Sequence, residues 1–186
     1  MKIFLTGSSG FIGQSLTKKL AGNHEVHHMS SNLLDHSKVR QELFDADPDI
    51  IVHLAARTEV QKSFYEQVAF SDINYVGTVN LIEAAAKLPN LKNFVFASTM
   101  EVYGWQPISD EARDKGKPES PVLFDENTPT NPNAPYAVAK LGCEYYLKYA
   151  SRSLGVPYTI IRLTNCYGRD NNCLLYTSPS PRDWLQ

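Results

Sequence analysis

Little in this chain invites a disulfide framework, a metal or a membrane. It has three cysteines, Cys143, Cys166 and Cys173, and no Cys-x-x-Cys or Cys/His ligand spacing. That pattern points to a reduced, cytoplasmic chain without a structural zinc. The histidines, His24, His27, His28, His36 and His53, do not fall at ligand spacing with acids on one element, so no metal is expected. His27 and His28 are neighbours on a predicted strand and point to opposite faces. No apolar run approaches the length that spans a bilayer, and the first residues already read as a strand, so neither a membrane span nor a leader is expected. Charge of one sign is also scarce. The net charge is -2, from 18 basic and 20 acidic residues, which argues against nucleic acid or an anionic membrane as partner. What is present is a chain of 186 residues, 42% hydrophobic and 20% charged, able to bury a sizeable core in one domain or slightly more.

Strand and helix patterns alternate along it. Ile3 to Leu5 is a short apolar run, followed by an amphipathic stretch with Ile12, Leu16 and Leu20 on one face. A second strand is expected over 25–29. A helix is expected over 37–45, with Val39, Leu43 and Phe44 inward, and Pro48 stops it. Residues 49–56 form a continuous apolar run, the pattern of a strand covered on both faces. A helix over 70–87 places Ile73, Gly77, Leu81, Ala84 and Ala85 on one stripe, and strand 93–98 follows. Residues 104–135, rich in proline and charge, read as a surface excursion. A helix over 136–154 ends at Gly155 and Pro157, and a fifth strand covers 158–163. Right-handed crossovers of this length bring parallel strands into one sheet. The expected fold class is therefore α/β, a doubly wound parallel sheet in three αβα layers. Its ligand crevice should lie beyond the carboxyl ends of the strands.

The chemistry-bearing residues fall at those ends. Gly7, Gly10 and Gly13 follow the first strand and open a helix. Gly7 can take the turn, Gly10 allows close approach of a bound group, and Gly13 allows tight helix–strand packing. The helix N-terminus then presents free N–H groups to a phosphate, with a dinucleotide pyrophosphate as the natural guest. Tyr136 and Lys140 are four apart on one helix face. A neighbouring ammonium favours the phenolate and lowers the phenol pKa, and Ser98 and Thr99 supply hydroxyls at the end of the fourth strand. Together these groups are expected to compose a proton-transfer site beside a nicotinamide.

Six motifs occur in order: Gly7-x-x-Gly10-x-x-Gly13, His53-Leu54-Ala55-Ala56, Asn74-Tyr75-Val76-Gly77-Thr78, Ser98-Thr99-Met100-Glu101-Val102-Tyr103-Gly104, Tyr136-x-x-x-Lys140 and Arg162-x-x-Asn165-x-Tyr167-Gly168. Over residues 1–172 the chain resembles the extended short-chain dehydrogenase/reductase family, in its NAD-dependent epimerase/dehydratase branch. The resemblance implies a Rossmann-like domain that binds NAD or NADP. Gly7, Gly10, Phe11, Ile12 and Gly13 match the pyrophosphate loop. Leu33 and Asp35 match positions by the adenine. Leu54, Ala55, Ala56 and Ser98 would lie along the cofactor, and Asn74 would support the site's backbone. Thr99 matches the catalytic hydroxyl and Tyr136 the acid/base. Lys140 matches the residue that binds the nicotinamide ribose and lowers the Tyr136 pKa. Asn165 matches a position near the nicotinamide and substrate. A nucleotide sugar as substrate, a 4-keto intermediate and a homodimer are implied as well.

Two positions depart from the family pattern. The second strand ends in Met29-Ser30-Ser31, without the acid that accepts the adenine-ribose hydroxyls of NAD and without an arginine for the 2′-phosphate of NADP. Met100 precedes Glu101 where the family's 4,6-dehydratases carry Asp-Glu, and a thioether cannot protonate a leaving hydroxyl. Glu101 remains as a base or polar anchor. Epimerase, dehydratase, decarboxylase, carbonyl reductase and a cofactor-binding fragment without turnover all stay open. Residues 173–186 resemble an in-frame sequencing adapter, so the expected domain is 1–172, incomplete at its C-terminal end and without the family's substrate domain.

Overall fold

The computed structural model describes residues 1–104 and 123–166. Its framework is five parallel strands: β1 Lys2–Thr6, β2 Glu25–His28, β3 Ile50–His53, β4 Asn93–Thr99 and β5 Tyr158–Leu163. They stand in the order β2-β1-β3-β4-β5. The order reverses between β1 and β3, and in a doubly wound sheet that point opens a crevice at the carboxyl ends. β1 runs beside β2 with Leu5 opposite His28, and beside β3 with Thr6 opposite His53.

Helices α1 (Phe11–Leu20), α2 (His36–Ala46), α3 (Val60–Ser63), α4 (Gln67–Ser71), α5 (Gly77–Ala85) and α6 (Pro135–Leu154) fill the crossovers, with a π-helical turn at Asp72–Val76 and a 3₁₀ turn at Met100–Tyr103. The core is dominated by Phe4, Ile51, Phe94 and Phe96 from the sheet, Val39 and Leu43 from α2, Leu81 and Ile82 from α5, and Cys143 and Leu147 from α6. Both apolar stripes and apolar strands are therefore legible as one Rossmann-like, doubly wound unit.

Three local expectations change. Phe44 is not inward: it is exposed, with the Arg40 guanidinium over its ring. Val39 and Leu43 already fill the face toward the sheet, and position 44 lies one step round the helix from it. β3 ends at His53 rather than at Ala56, because the Leu54 and Ala55 amides turn to the Thr6 backbone oxygen and hydroxyl. The single helix of 70–87 is in fact α4, a π turn and α5. There the Asn74 carbonyl accepts from the Thr78 hydroxyl and the Cys143 thiol. The widened turn sets the Asn74 side chain inward, 1% exposed. Residues 105–122 of the expected surface excursion, and the 173–186 segment, lie outside the described residues. No helix among the described residues is long and apolar enough to cross a membrane.

Candidate active site

The loop after β1 is shaped by close backbone contact. Gly7 has φ 70°, and a Cβ there would stand 2.6 Å from the Ala55 amide nitrogen. A Cβ on Gly13 would stand 2.1 Å from the Gly7 carbonyl oxygen, so only glycine lets α1 come this close to the loop. Gly10 caps α1 without a side chain, and the first turn holds no acid. The amides of that turn are therefore left to an anion, with the helix dipole behind them. Phe11 and Ile12 are half-buried in the same turn. A pyrophosphate fits this loop, because Gly7, Gly10 and Gly13 bring no side chain to it and no side chain caps the first-turn amides.

The loop after β3 forms the other wall. His53 is fully buried and links two threonines: Thr6 Oγ1 lies 2.6 Å from Nδ1 and Thr78 Oγ1 lies 2.8 Å from Nε2. Since Thr78 donates its own proton to the Asn74 carbonyl, Nε2–H must donate to Thr78 and Thr6 to Nδ1. Burial, with a smaller contribution from the Lys140 charge, holds this imidazole neutral, its pKa lowered to about 3. Asn74 accepts from the Arg57 amide and donates to the Arg57 carbonyl, both at 2.8 Å. It therefore clamps the backbone that follows half-buried Leu54, Ala55 and Ala56. Leu33 is buried, with its Cβ 2.8 Å from where a Cβ on Gly77 would stand. Asp35 caps α2, accepting from the Lys38 amide at 3.1 Å.

Thr99, Glu101, Tyr136 and Lys140 converge at the end of β4 and the start of α6. Thr99 Oγ1 accepts from the Glu101 amide at 3.2 Å. Tyr136 is 7% exposed and Lys140 3%. Two details differ from expectation. The Tyr136 pKa is raised, not lowered: burial outweighs the lowering influence of the Thr99 hydroxyl, and the Glu101 charge adds to the rise. Lys140 does not aim at the phenol here. Its ammonium donates to the Ala97 carbonyl at 2.8 Å and lies over the Phe96 ring, and burial lowers its pKa to about 8. Ser98 also turns away, donating to Glu144 at 2.5 Å. Asn165 is exposed, two residues beyond β5, while Tyr167 and Gly168 lie outside the described residues.

Ser98 exposes a layer that sequence reasoning missed. Glu144 is 1% exposed and receives Arg162 bidentately, Nε at 3.1 Å and Nη2 at 2.7 Å. Arg162 Nη1 reaches the Tyr103 hydroxyl at 3.0 Å, which donates to the Asp125 carbonyl at 2.8 Å. One buried charge pair thus joins α6, β4, β5 and the turn that carries Glu101. The only sequence signal was an acid one helical turn after Lys140 on an otherwise apolar stripe.

The sequence pattern of the NAD dependent epimerase/dehydratase family matches residues 3–177. The chain belongs to that family. A dTDP-D-glucose 4,6-dehydratase of Dictyostelium discoideum is 31% identical over 195 residues, covering 90% of this chain and 44% of its own length. The solved UDP-glucose 4-epimerase of Thermus thermophilus, in complex with NAD, superimposes with a TM-score of 0.79 at 26% identity, over 92% of this chain and 58% of that one. The RMD protein of Pseudomonas aeruginosa, complexed with NADPH, gives 0.72 at 26% identity, over 89% and 55%. The chain thus spans about half the length of the relatives it matches. In this chain the glycine loop follows the carboxyl end of β1, Thr99 ends β4, and Tyr136 stands in the first turn of α6.

Proposed function

We propose that this chain is the dinucleotide-binding and proton-transferring part of an NAD(P)-dependent epimerase or dehydratase acting on a nucleotide sugar. The observation that carries the reading is the convergence of Thr99, Tyr136 and Lys140 at the strand ends that the glycine loop also borders. The relatives that act on dTDP-glucose and UDP-glucose support the substrate class. The nicotinamide, when bound, takes and returns a hydride.

The chain's own residues do the rest. Gly7, Gly10 and Gly13 hold the pyrophosphate against the first turn of α1. Tyr136, deprotonated, takes the proton from a sugar hydroxyl as its carbon is oxidised to a 4-keto group. Thr99 hydrogen-bonds the developing carbonyl oxygen, a preorganised dipole where charge builds. Lys140, freed from Ala97, supplies the positive charge that favours the phenolate. Glu144 and Arg162 keep β4 and α6 in register so that Thr99 and Tyr136 meet. Burial around Tyr136 excludes water from the proton path.

Carbonyl reduction on the same scaffold is a second reading with its own support. The raised Tyr136 pKa keeps a proton ready for a carbonyl oxygen, and Met100 offers none for a leaving hydroxyl. Incubation with UDP-glucose and dTDP-glucose, followed by product chromatography, separates epimer, 4-keto-6-deoxy product and no conversion. Conversion of neither substrate by a protein containing these residues and the rest of the family's length overturns the nucleotide-sugar reading. A second copy of the chain is the proposed partner. The neighbouring helices α4 and α6 leave Val68, Val138, Tyr145 and Tyr149 exposed, and light scattering reads the resulting mass.

A further inference from the structure

Beyond β2 the sequence has neither the acid of an NAD site nor the arginine of an NADP site, yet the structure puts a carboxylate there from another element. Glu42, on α2, accepts from the Ser30 amide at 2.8 Å, the Ser30 hydroxyl at 3.1 Å, the Ser31 amide at 2.9 Å and the Ser31 hydroxyl at 2.5 Å. His27 Nε2 completes the set at 3.0 Å from the same carboxylate. Two consecutive backbone N–H groups and two hydroxyls converging on one point form the kind of nest that binds phosphate oxygens. Here an internal anion fills it. The Glu42 side chain is only 13% exposed. Burial alone would raise its pKa, but the Ser31 hydroxyl, the Ser30 amide and their companions overcome that and bring it down to about 2. Glu42 is therefore ionised throughout the neutral range.

The position decides what this means. The end of β2 lies beside the end of β1, where the Met29 amide donates to the Leu5 carbonyl just before the glycine loop. In a doubly wound dinucleotide site, the adenine-ribose 2′ position is read at that strand end. We propose that Glu42 selects NAD over NADP by occupying, as part of the protein, the anion site a 2′-phosphate would need. The inference rests on the dinucleotide reading of the glycine loop. A 2′-phosphate arriving at Ser30 and Ser31 meets a fixed negative charge, and the amides and hydroxyls that could bind it are already bonded to Glu42. An unphosphorylated ribose brings no such charge.

The test is fluorescence titration of the whole chain with NADH and with NADPH, on wild type, Glu42→Gln and Glu42→Ala, with adenosine 2′,5′-bisphosphate and 5′-ADP as competitors that report the adenine end alone. Wild type should bind NADH about tenfold or more tightly than NADPH, since like charges brought together in a site cost on this scale or above. Glu42→Ala should free the nest, close that gap by about tenfold and bind the bisphosphate better than wild type does. Glu42→Gln, which keeps the shape and an acceptor, should shift the ratio in the same direction with less effect on the melting temperature. A clamp that only orders the loop would weaken both dinucleotides alike and leave the ratio where it was; that result overturns the inference. So does equal binding of NADH and NADPH by wild type. Binding of neither dinucleotide overturns the cofactor reading, and the inference falls with it.

Discussion

Removing the Glu144 carboxylate tests whether one buried charge pair holds the site's elements together. Glu144 is 1% exposed and Arg162 16%, with two hydrogen bonds between them and a third from Ser98. Glu144→Ala leaves a guanidinium and a hydroxyl facing a cavity where the carboxylate was. Breaking a buried pair by deleting one partner costs about 3–5 kcal/mol. Arg162 keeps its bond to Tyr103 and some access to water, which places the loss near the lower end, about 3 kcal/mol. For a domain of this size that lowers Tm by roughly 6–12 °C. Urea unfolding followed by circular dichroism gives the free energy, and calorimetry gives Tm. Replacing both partners with apolar residues, Glu144→Leu with Arg162→Met, removes the unpaired charge and should recover at least half of the loss. A Glu144→Ala cost under about 1 kcal/mol, or a double variant less stable than either single one, refutes the reasoning.

Other outcomes follow from the same geometry. Tyr136→Phe should lower kcat about 10²–10⁴-fold in the full-length enzyme while NADH still binds, as read by reduced-nicotinamide absorbance and by titration. Gly13→Ala places a methyl where 2.1 Å separates it from the Gly7 carbonyl, so it should abolish dinucleotide binding in the same titration. His53 makes the fold acid-sensitive. Its pKa falls from 6.5 to about 3 on burial, so the unfolded chain binds its proton first. The stability it leaves intact above pH 6.5 is then lost as pH falls toward 3, at about 1.4 kcal/mol per pH unit. Urea midpoints against pH should show that slope in wild type, and a His53→Asn variant should flatten it.

Most of the fold was legible because its signals are local. Apolar runs marked β1, β3 and β4, Gly155 and Pro157 marked the end of α6 before β5, and the 3.6-residue stripes on α2 and α5 marked the faces that Val39, Leu43, Leu81, Ala84 and Ala85 bury. The glycine loop was legible because its spacing states a backbone requirement that Gly7 and Gly13 then meet. What stayed hidden depends on residues distant in sequence. Glu144 and Arg162 meet only once α6 lies across β4 and β5. Glu42 lies eleven residues beyond Ser31 on a helix whose periodicity says nothing of its carboxylate. The π turn at Asn74 follows from a side chain and a carbonyl finding Arg57, Thr78 and Cys143. Phe44 misled because an aromatic beside a buried leucine suits either face until the stripe is fixed. The Tyr136 shift was misjudged in sign because the i, i+4 spacing fixes the shared helix face but not where the Lys140 ammonium turns.

The central claim is that the first-turn amides of α1 and the loop after β3 form a nicotinamide-dinucleotide site bordered by Tyr136. Stoichiometric titration of NADH into the chain, read by nicotinamide fluorescence, tests it most directly. One NADH per chain, displaced by NAD and lost in Gly13→Ala, is the predicted result. Absence of saturable binding at concentrations up to about 1 mM, the upper range of ordinary enzyme affinities, would contradict it.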